Sequence, residues 1–425
     1  MEFLRAALLL MAAGGLVPGA ADPARSRQIR ELAKGGADSI PGLREFLKDP
    51  DAEIRVDAVK ALVEIGTQRS LDPLMQATLD NDAEVQARAT DGLVNFYLPG
   101  YVRTGFTASL RRVGGGIKGK FTDTSDQMID PYVKVRPEVI AALGKLARGG
   151  VSMEVRANAA RAVGILRGGA AAADLVEAVR GSKDSLVIYE SLVAFQKIRD
   201  PSVAPKISFL LRDLDPKVQV AAIETTGLLQ NKEALPDLLE ALNRARDRRV
   251  ERAALTAIAM LPEERNRDLY TRYLASKDDR LRGAAAEGLA RLKNPADAPA
   301  LERALEEERK TSARLSMAFA LVMLGKNELS EFSPLQFLVN TCNSTAFRGE
   351  AYALLVELAR NPATLSLLYQ ALERGTKDEK VYLARVLAAS GDPGSLPHLD
   401  RMSRDPDREV AAEGLRALRA LKARL

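Results

Sequence analysis

Apolar positions along the chain recur at helical spacing, and the recurrence itself repeats on a longer scale. In Asp49-Pro50-Asp51-Ala52-Glu53-Ile54-Arg55-Val56-Asp57-Ala58-Val59-Lys60-Ala61-Leu62, the residues Ile54, Ala58 and Leu62 are four apart. That spacing puts them on one helical face. Residues 405–418 repeat the segment without a gap, with Asp405-Pro406-Asp407 as the turn and Val410 in the place of Ile54. With Ile54 and Val410 as anchors, the pattern also falls at Val85, Val155, Val187, Val218, Val250, Leu281, Ala313, Phe347 and Glu379, in steps of 31, 70, 32, 31, 32, 31, 32, 34, 32 and 31. Ala313 and Glu379 are poor anchors, and the register there rests on the residues that follow.

Each block predicts a helix hairpin. A turn rich in Asp, Pro and Gly precedes the anchor, as in Asp213-Leu214-Asp215-Pro216. An Asp there caps the next helix, and Pro suits its first turn. Upstream lies another apolar helix, such as Leu71 to Leu79. A single hairpin cannot bury its apolar face, whereas stacked neighbours share a continuous core. The expected fold is therefore all-α, a solenoid of about eleven stacked helix hairpins over residues 22–425.

The turn Asp followed by Val-Arg-x-x-Ala-Ala-x-Ala-Leu resembles the HEAT repeat, and more narrowly the short HEAT-like repeats of phycobilisome lyases. The family's Arg directly after the anchor is present as Arg55, Arg156, Arg282, Arg314 and Arg348, and is replaced by Gln86, Ile188, Gln219, Glu251 and Ala411. The resemblance implies that this Arg pairs with the turn Asp of a neighbouring repeat, so the replacements imply breaks in that ladder. It also implies that positions three and six after the anchor face the concave surface. Those positions are charged near the N-terminus (Asp57, Lys60, Arg88, Asp91, Arg161) and the C-terminus (Glu350, Arg385, Glu413, Arg416). They are blander in the middle (Ala221, Ala253, Thr256, Ala284, Phe319), which fits either a less polar central groove or tight curvature that half-buries them.

One step breaks the rhythm. The 70 residues between Val85 and Val155 equal one repeat plus roughly 39 more, placing an insertion at 95–136. It holds many of the chain's aromatic residues and a basic cluster, and such long excursions are commonly functional. Its candidate partner-binding residues are Tyr97, Tyr101, Arg103, Phe106, Arg111, Arg112, Lys118, Lys120 and Phe121. Gly114 to Lys120 matches the first seven positions of a P-loop. However, Phe121 stands where the magnesium-binding hydroxyl belongs, and no βαβ pattern surrounds it, so no nucleotide site is expected.

Composition narrows the chemistry. The chain has 425 residues, no Trp, one Cys and one His, with 28% charged residues and a net charge of +5. Mixed-sign charge along the whole length reads as solvated helix faces, not as the basic stripe of a nucleic-acid binder. Cys342 and His398 are too few for an internal disulfide or a zinc site, and they provide no nucleophile–base pair. Cys342 is expected to be a small helix or turn residue whose thiol remains open to oxidation or pairing between chains, and His398 a surface residue. Glu306-Glu307-Glu308 reads as a solvated helix end.

Residues 1–21 read as a secretory signal: Arg5, then an apolar run from Ala6 to Leu16, then small residues before a cut after Ala20 or Ala21. Residues 1–21 would otherwise be a retained anchor. The expectation is an exported protein, periplasmic or secreted, with no stable membrane insertion after cleavage. It is expected to be a non-catalytic scaffold that binds a protein or extended peptide, with no cofactor, metal or nucleic acid. The alternatives are a lyase or isomerase acting on a chromophore-like molecule, suggested by the family resemblance alone, and a nucleic-acid-binding solenoid.

Overall fold

The computed structural model of the chain describes residues 22–101 and 127–425. Among the described residues the regular elements are helices alone. A leading helix, Pro23–Ala33, is followed by eleven helix pairs. The second helices of repeats 1 to 11 are Ala52–Ile65, Ala83–Tyr97, Met153–Ile165, Ser185–Ile198, Pro216–Leu228, Arg248–Ala259, Asp279–Leu292, Thr311–Met323, Arg348–Leu358, Lys377–Ser390 and Arg408–Arg424. Described residues 22–101 and 137–162 form one compact unit, and 127–136 with 163–425 form a second. The helix of repeat 2 runs on through Asn95, Phe96 and Tyr97, so helix occupies the first residues of the expected insertion.

Local sequence explains where these helices begin. Asp51, Asp82, Asp184, Asp215, Asp247, Asp278 and Asp407 each stand three residues before an anchor and accept backbone N–H groups of the first turn. Each such cap is worth about 1 kcal/mol. Repeat 10 uses Thr376 instead, in a capping box with Glu379, so the poor anchor at Glu379 marks a real helix start. Repeat 9 differs. Its turn carries no capping Asp, and Phe347 is itself the N-cap, so the helix begins three residues later in the repeat than elsewhere.

A second feature recurs across the turns. The side chain directly after the anchor donates to a carbonyl six residues earlier: Arg55 to Asp49 O (2.8 Å), Gln86 to Asp80 O (2.7 Å), Arg156 to Gly150 O (2.7 Å), Arg282 to Ser276 O (2.8 Å) and Arg314 to Glu308 O (3.0 Å). These bonds satisfy carbonyls left open where the first helix ends. The same position reaches the next turn, where Arg55 pairs with Asp80, Arg282 with Glu308 and Lys380 with Asp405. The leading helix supplies an equivalent rung, Arg25 to Asp49.

The expected breaks in this ladder are partly bridged. Gln86 keeps the rung with its amide, which also accepts the N–H of Val151 (3.1 Å). Where Glu251 replaces the Arg, Arg252 pairs with Asp278. Glu308 is not a solvated helix end. Its side chain is 4% exposed and serves as the turn carboxylate of repeat 8, where the N-cap Lys310 makes no side-chain cap.

The core is built from Leu, Ile, Val and Ala, with few large rings. One ring sets a tight contact in repeat 7. Tyr270 is fully buried, and its hydroxyl donates to Ile258 O at 3.1 Å. A Cβ on Gly288 would lie 2.5 Å from Tyr270 Cε1. Gly288→Ala is therefore expected to lower stability by about 1–2 kcal/mol, because overpacking outweighs the gain in helix propensity. Gly349, whose added Cβ would meet nothing within 4 Å, is the control; there Ala is expected to be neutral or stabilising. Urea midpoints of the two variants check the contrast.

Candidate binding groove

Within the unit of residues 127–136 and 163–425, the second helices line a groove of about 1570 Å³. In repeats 5 to 7 the lining positions are two, six and ten after the anchor: Val220, Glu224 and Leu228; Arg252, Thr256 and Met260; Gly283, Glu287 and Arg291. Ala253 and Ala284, at the expected third position, also line it, as do Glu350, Arg385, Glu413 and Arg416. Ala221 and Phe319 do not; they are 2% and 0% exposed. In the N-terminal unit, Asp91 and Arg161 are buried at 3% each and lie on no solvated face.

The centre of the groove is charged, not bland. Glu287 and Arg291 come from repeat 7, whose side chains reach past repeat 8 to repeat 9. Arg291 Nε and Nη2 each donate to Glu357 at 2.8 Å, and Nη2 also donates to Glu287 at 3.1 Å. Arg280 Nη1 donates to Glu350 at 2.9 Å in the same pair of repeats. Between them the repeat 8 helix is buried from Ser312 to Val322 apart from Arg314. Curvature therefore buries the apolar positions, and the charged side chains that remain cover them. The sequence held the signal at Glu224 and Glu287, six after their anchors, but not the pairing across two repeats.

The end of the insertion takes part. Ile129 is buried and its N–H donates to Ile165 O at 3.0 Å, while Lys197 Nζ donates to Gln127 O at 3.0 Å. That fixes Asp130 at the groove, where Arg416 of the last repeat donates to it at 2.9 Å through Nε and lies 2.6 Å away through Nη2. Burial works to raise the Asp130 carboxyl. Arg416 and the Tyr132 hydroxyl outweigh it and hold the group below the ordinary carboxylate value. Tyr352 and Tyr382 add an aromatic wall, edge to face at 6.4 Å, with Arg385 4.8 Å from the Tyr382 ring centre.

Of the residues expected to bind a partner, Tyr97 and Tyr101 are half-buried at the end of repeat 2, where Tyr97 packs edge-on against Phe96 at 4.9 Å. Arg103, Phe106, Arg111, Arg112, Lys118, Lys120 and Phe121 lie outside the described residues, as does the segment 1–21. No helix among the described residues is long and apolar enough to cross a membrane. No cluster of three or more His, Cys, Asp or Glu side chains there could hold a metal ion.

Cys342 and His398 stand apart from the groove lining. His398 is half-buried and stacks on Tyr369 at 4.1 Å. Cys342 is fully buried, which corrects the expectation of a thiol open to oxidation or pairing between chains. Burial pushes the thiol up to about 12. A thiol-reactive dye is therefore expected to label nothing in the native protein and one site per chain in denaturant.

A comparison with curated protein sequences finds no match. Among solved structures, the chain is similar to an engineered protein at 20% identity over 90% of this chain and 98% of that one (TM-score 0.38). It is similar to the complex of CpcE and CpcF of phycocyanin lyase from Nostoc sp. PCC7120 at 17% identity over 61% and 90% (TM-score 0.37). It is also similar to Kap121p bound to Pho4p, at 14% identity over 95% of this chain and 56% of that one (TM-score 0.43). The family model for HEAT repeats matches residues 16–94, 203–269 and 238–322. With that match and eleven stacked helix pairs, the chain is a HEAT-repeat protein, an all-α solenoid.

Proposed function

We propose that this chain is an exported, non-catalytic scaffold that holds a protein or an extended peptide along the groove of its C-terminal unit, with the 95–136 insertion contributing to recognition. The observation that supports this most is the groove itself. It is long, open to solvent, and lined by eight successive repeats with charged, apolar and aromatic side chains interleaved. A protein-sized surface of that kind suits a chain segment better than a single small substrate. The lone thiol is buried and the lone imidazole is stacked on a tyrosine, so neither is presented to a substrate in the groove. Export rests on the N-terminal signal pattern of residues 1–21.

The test is a crosslinking pull-down from an envelope extract of the native host. The mature chain from Asp22 is one bait, and a version with residues 96–136 replaced by a short linker is the other. Partners held by the first bait and lost by the second place recognition in the insertion. Partners held by both place it in the groove. If neither bait captures a protein, the scaffold proposal fails and the chromophore-type lyase becomes the reading to pursue.

A further inference from the structure

We infer that the groove is built for an acidic peptide segment, whose carboxylates seat against Arg199 and Arg360 with Arg167 beside them. This inference rests on the scaffold reading above. Most cations in the groove lining already have a partner: Arg249 with Asp247, Arg252 with Asp278, Arg280 with Glu350, Arg291 with Glu357, Arg385 with Glu413 and Arg416 with Asp130. Arg424 donates to the carbonyls of Ala388 and Gly391. Arg167, Arg199 and Arg360 line the same groove, are exposed to its solvent, and make no ion pair among the described residues.

Two of them act on each other. Arg199 follows the helix of repeat 4 and Arg360 the helix of repeat 9, and both line the groove. Burial, and after it the charge of Arg360, pulls the Arg199 guanidinium below its ordinary value, as expected for cations placed together without a counter-ion. A carboxylate beside these guanidinium groups supplies the missing counter-charge and can pair with a guanidinium fork.

The rest of the lining decides what carries the carboxylate. Val220, Leu228 and Met260 also line the groove and give apolar side chains a place to pack. Seven acidic residues also line it, Glu224 and Asp279 among them. They would repel a continuous phosphate backbone, whereas a peptide can alternate charged and apolar side chains to suit both.

The test measures fluorescence anisotropy of labelled peptides with alternating Glu-Leu, Gln-Leu or Lys-Leu sequence against the full mature chain. A single-stranded oligonucleotide of equal charge is measured beside them. The Glu-Leu peptide is expected to bind at least about tenfold more tightly than the others, and the preference should shrink as salt rises. The variant carrying Arg199→Gly and Arg360→Gln is expected to lose about tenfold for the Glu-Leu peptide alone. Its thermal midpoint should be unchanged or higher, because Arg199 sits at φ 62°, a left-handed conformation that glycine adopts at the same repeat position in Gly66.

Equal binding of Gln-Leu and Glu-Leu peptides, or of the Glu-Leu peptide to parent and variant, overturns the arginine site and leaves the scaffold proposal standing. Tighter binding of the oligonucleotide overturns it in favour of nucleic acid. If no peptide binds while the pull-down still captures a protein, the acidic-peptide assignment alone fails. An empty pull-down removes the scaffold reading as well.

Discussion

Replacing Arg291 by Met is expected to lower the unfolding free energy by roughly 3–5 kcal/mol, the range for removing one partner of a buried ion pair. The Arg291 side chain is only 10% exposed, and Glu287 beside it is 15% exposed. Burial by itself would make the guanidinium easier to deprotonate. The bidentate contact with Glu357 and the charge of Glu287 reverse that and hold it above its ordinary value. Met matches the volume of the aliphatic stem and fills the space over Phe319, whose ring centre lies 5.2 Å from the guanidinium carbon. What Met cannot supply is a counter-charge, so two carboxylates would be left close together with one hydrogen bond, from Ser316 to Glu287 at 2.8 Å, remaining between protein groups.

The destabilisation should therefore come chiefly from the stranded carboxylates. A triple variant, Arg291→Met with Glu287→Gln and Glu357→Gln, is expected to recover most of it. Urea unfolding followed by circular dichroism reads both. A loss below about 1 kcal/mol for the single variant would mean that the pair behaves like an ordinary surface salt bridge.

The second large effect is expected at Glu308. Its Oε2 accepts from Arg282 Nε at 2.6 Å, and its Oε1 accepts the N–H groups of Arg309 and Lys310, each at 2.8 Å. Burial acts to raise this carboxyl, but the Arg282 bond and the two backbone donors outweigh it and hold it down at about 2. Because the folded value lies below the unfolded one, the stabilisation is present above the ordinary carboxylate range. It is lost as the pH falls through the folded value of about 2. A depression of that size corresponds to about 3 kcal/mol.

Glu308→Gln keeps an oxygen for the backbone donors but turns an amide N–H₂ toward Arg282 or leaves it without a charge. The expected loss is roughly 2–3 kcal/mol at neutral pH. The difference between parent and variant should narrow between about pH 4.5 and 2 and nearly vanish below that. Urea midpoints measured across that range give the curve. A gap that stays constant with pH would place the effect in packing and not in ionisation.

These two residues also mark how far the sequence could be read. The helix pairs, their period and their Asp caps were legible because each is a local pattern repeated at fixed spacing. Glu308 was hidden by its neighbours Glu306 and Glu307, which made it look like part of an acidic run. Counted from the anchor, it stands five residues before Ala313, as Asp49, Asp80 and Asp405 stand before Ile54, Val85 and Val410. That register carried the signal, and the weak anchor at Ala313 obscured it.

The groove was legible only in part. Glu350, Arg385, Glu413 and Arg416 follow from the repeat register, and all of them line the groove. The charged centre does not follow, because it depends on curvature that brings Arg291 to Glu357 and Arg280 to Glu350 across an intervening repeat. Nor could spacing reveal that Asp130, at the end of the insertion, meets Arg416, 286 residues away. Contacts between non-adjacent repeats have no sequence period to announce them.

On this scaffold proposal, the partner binds in the groove of the C-terminal unit. Site-specific photocrosslinking in the native host tests it most directly, with a photoreactive residue introduced in turn at Thr256, Ala353 and Asp268. Thr256 and Ala353 line the groove, whereas Asp268 is exposed on the first helix of repeat 7 and does not. Adducts of one common mass are expected from Thr256 and Ala353 and none from Asp268. Adducts from Asp268 with none from the two groove positions would contradict the proposal and place the partner on the first helices instead.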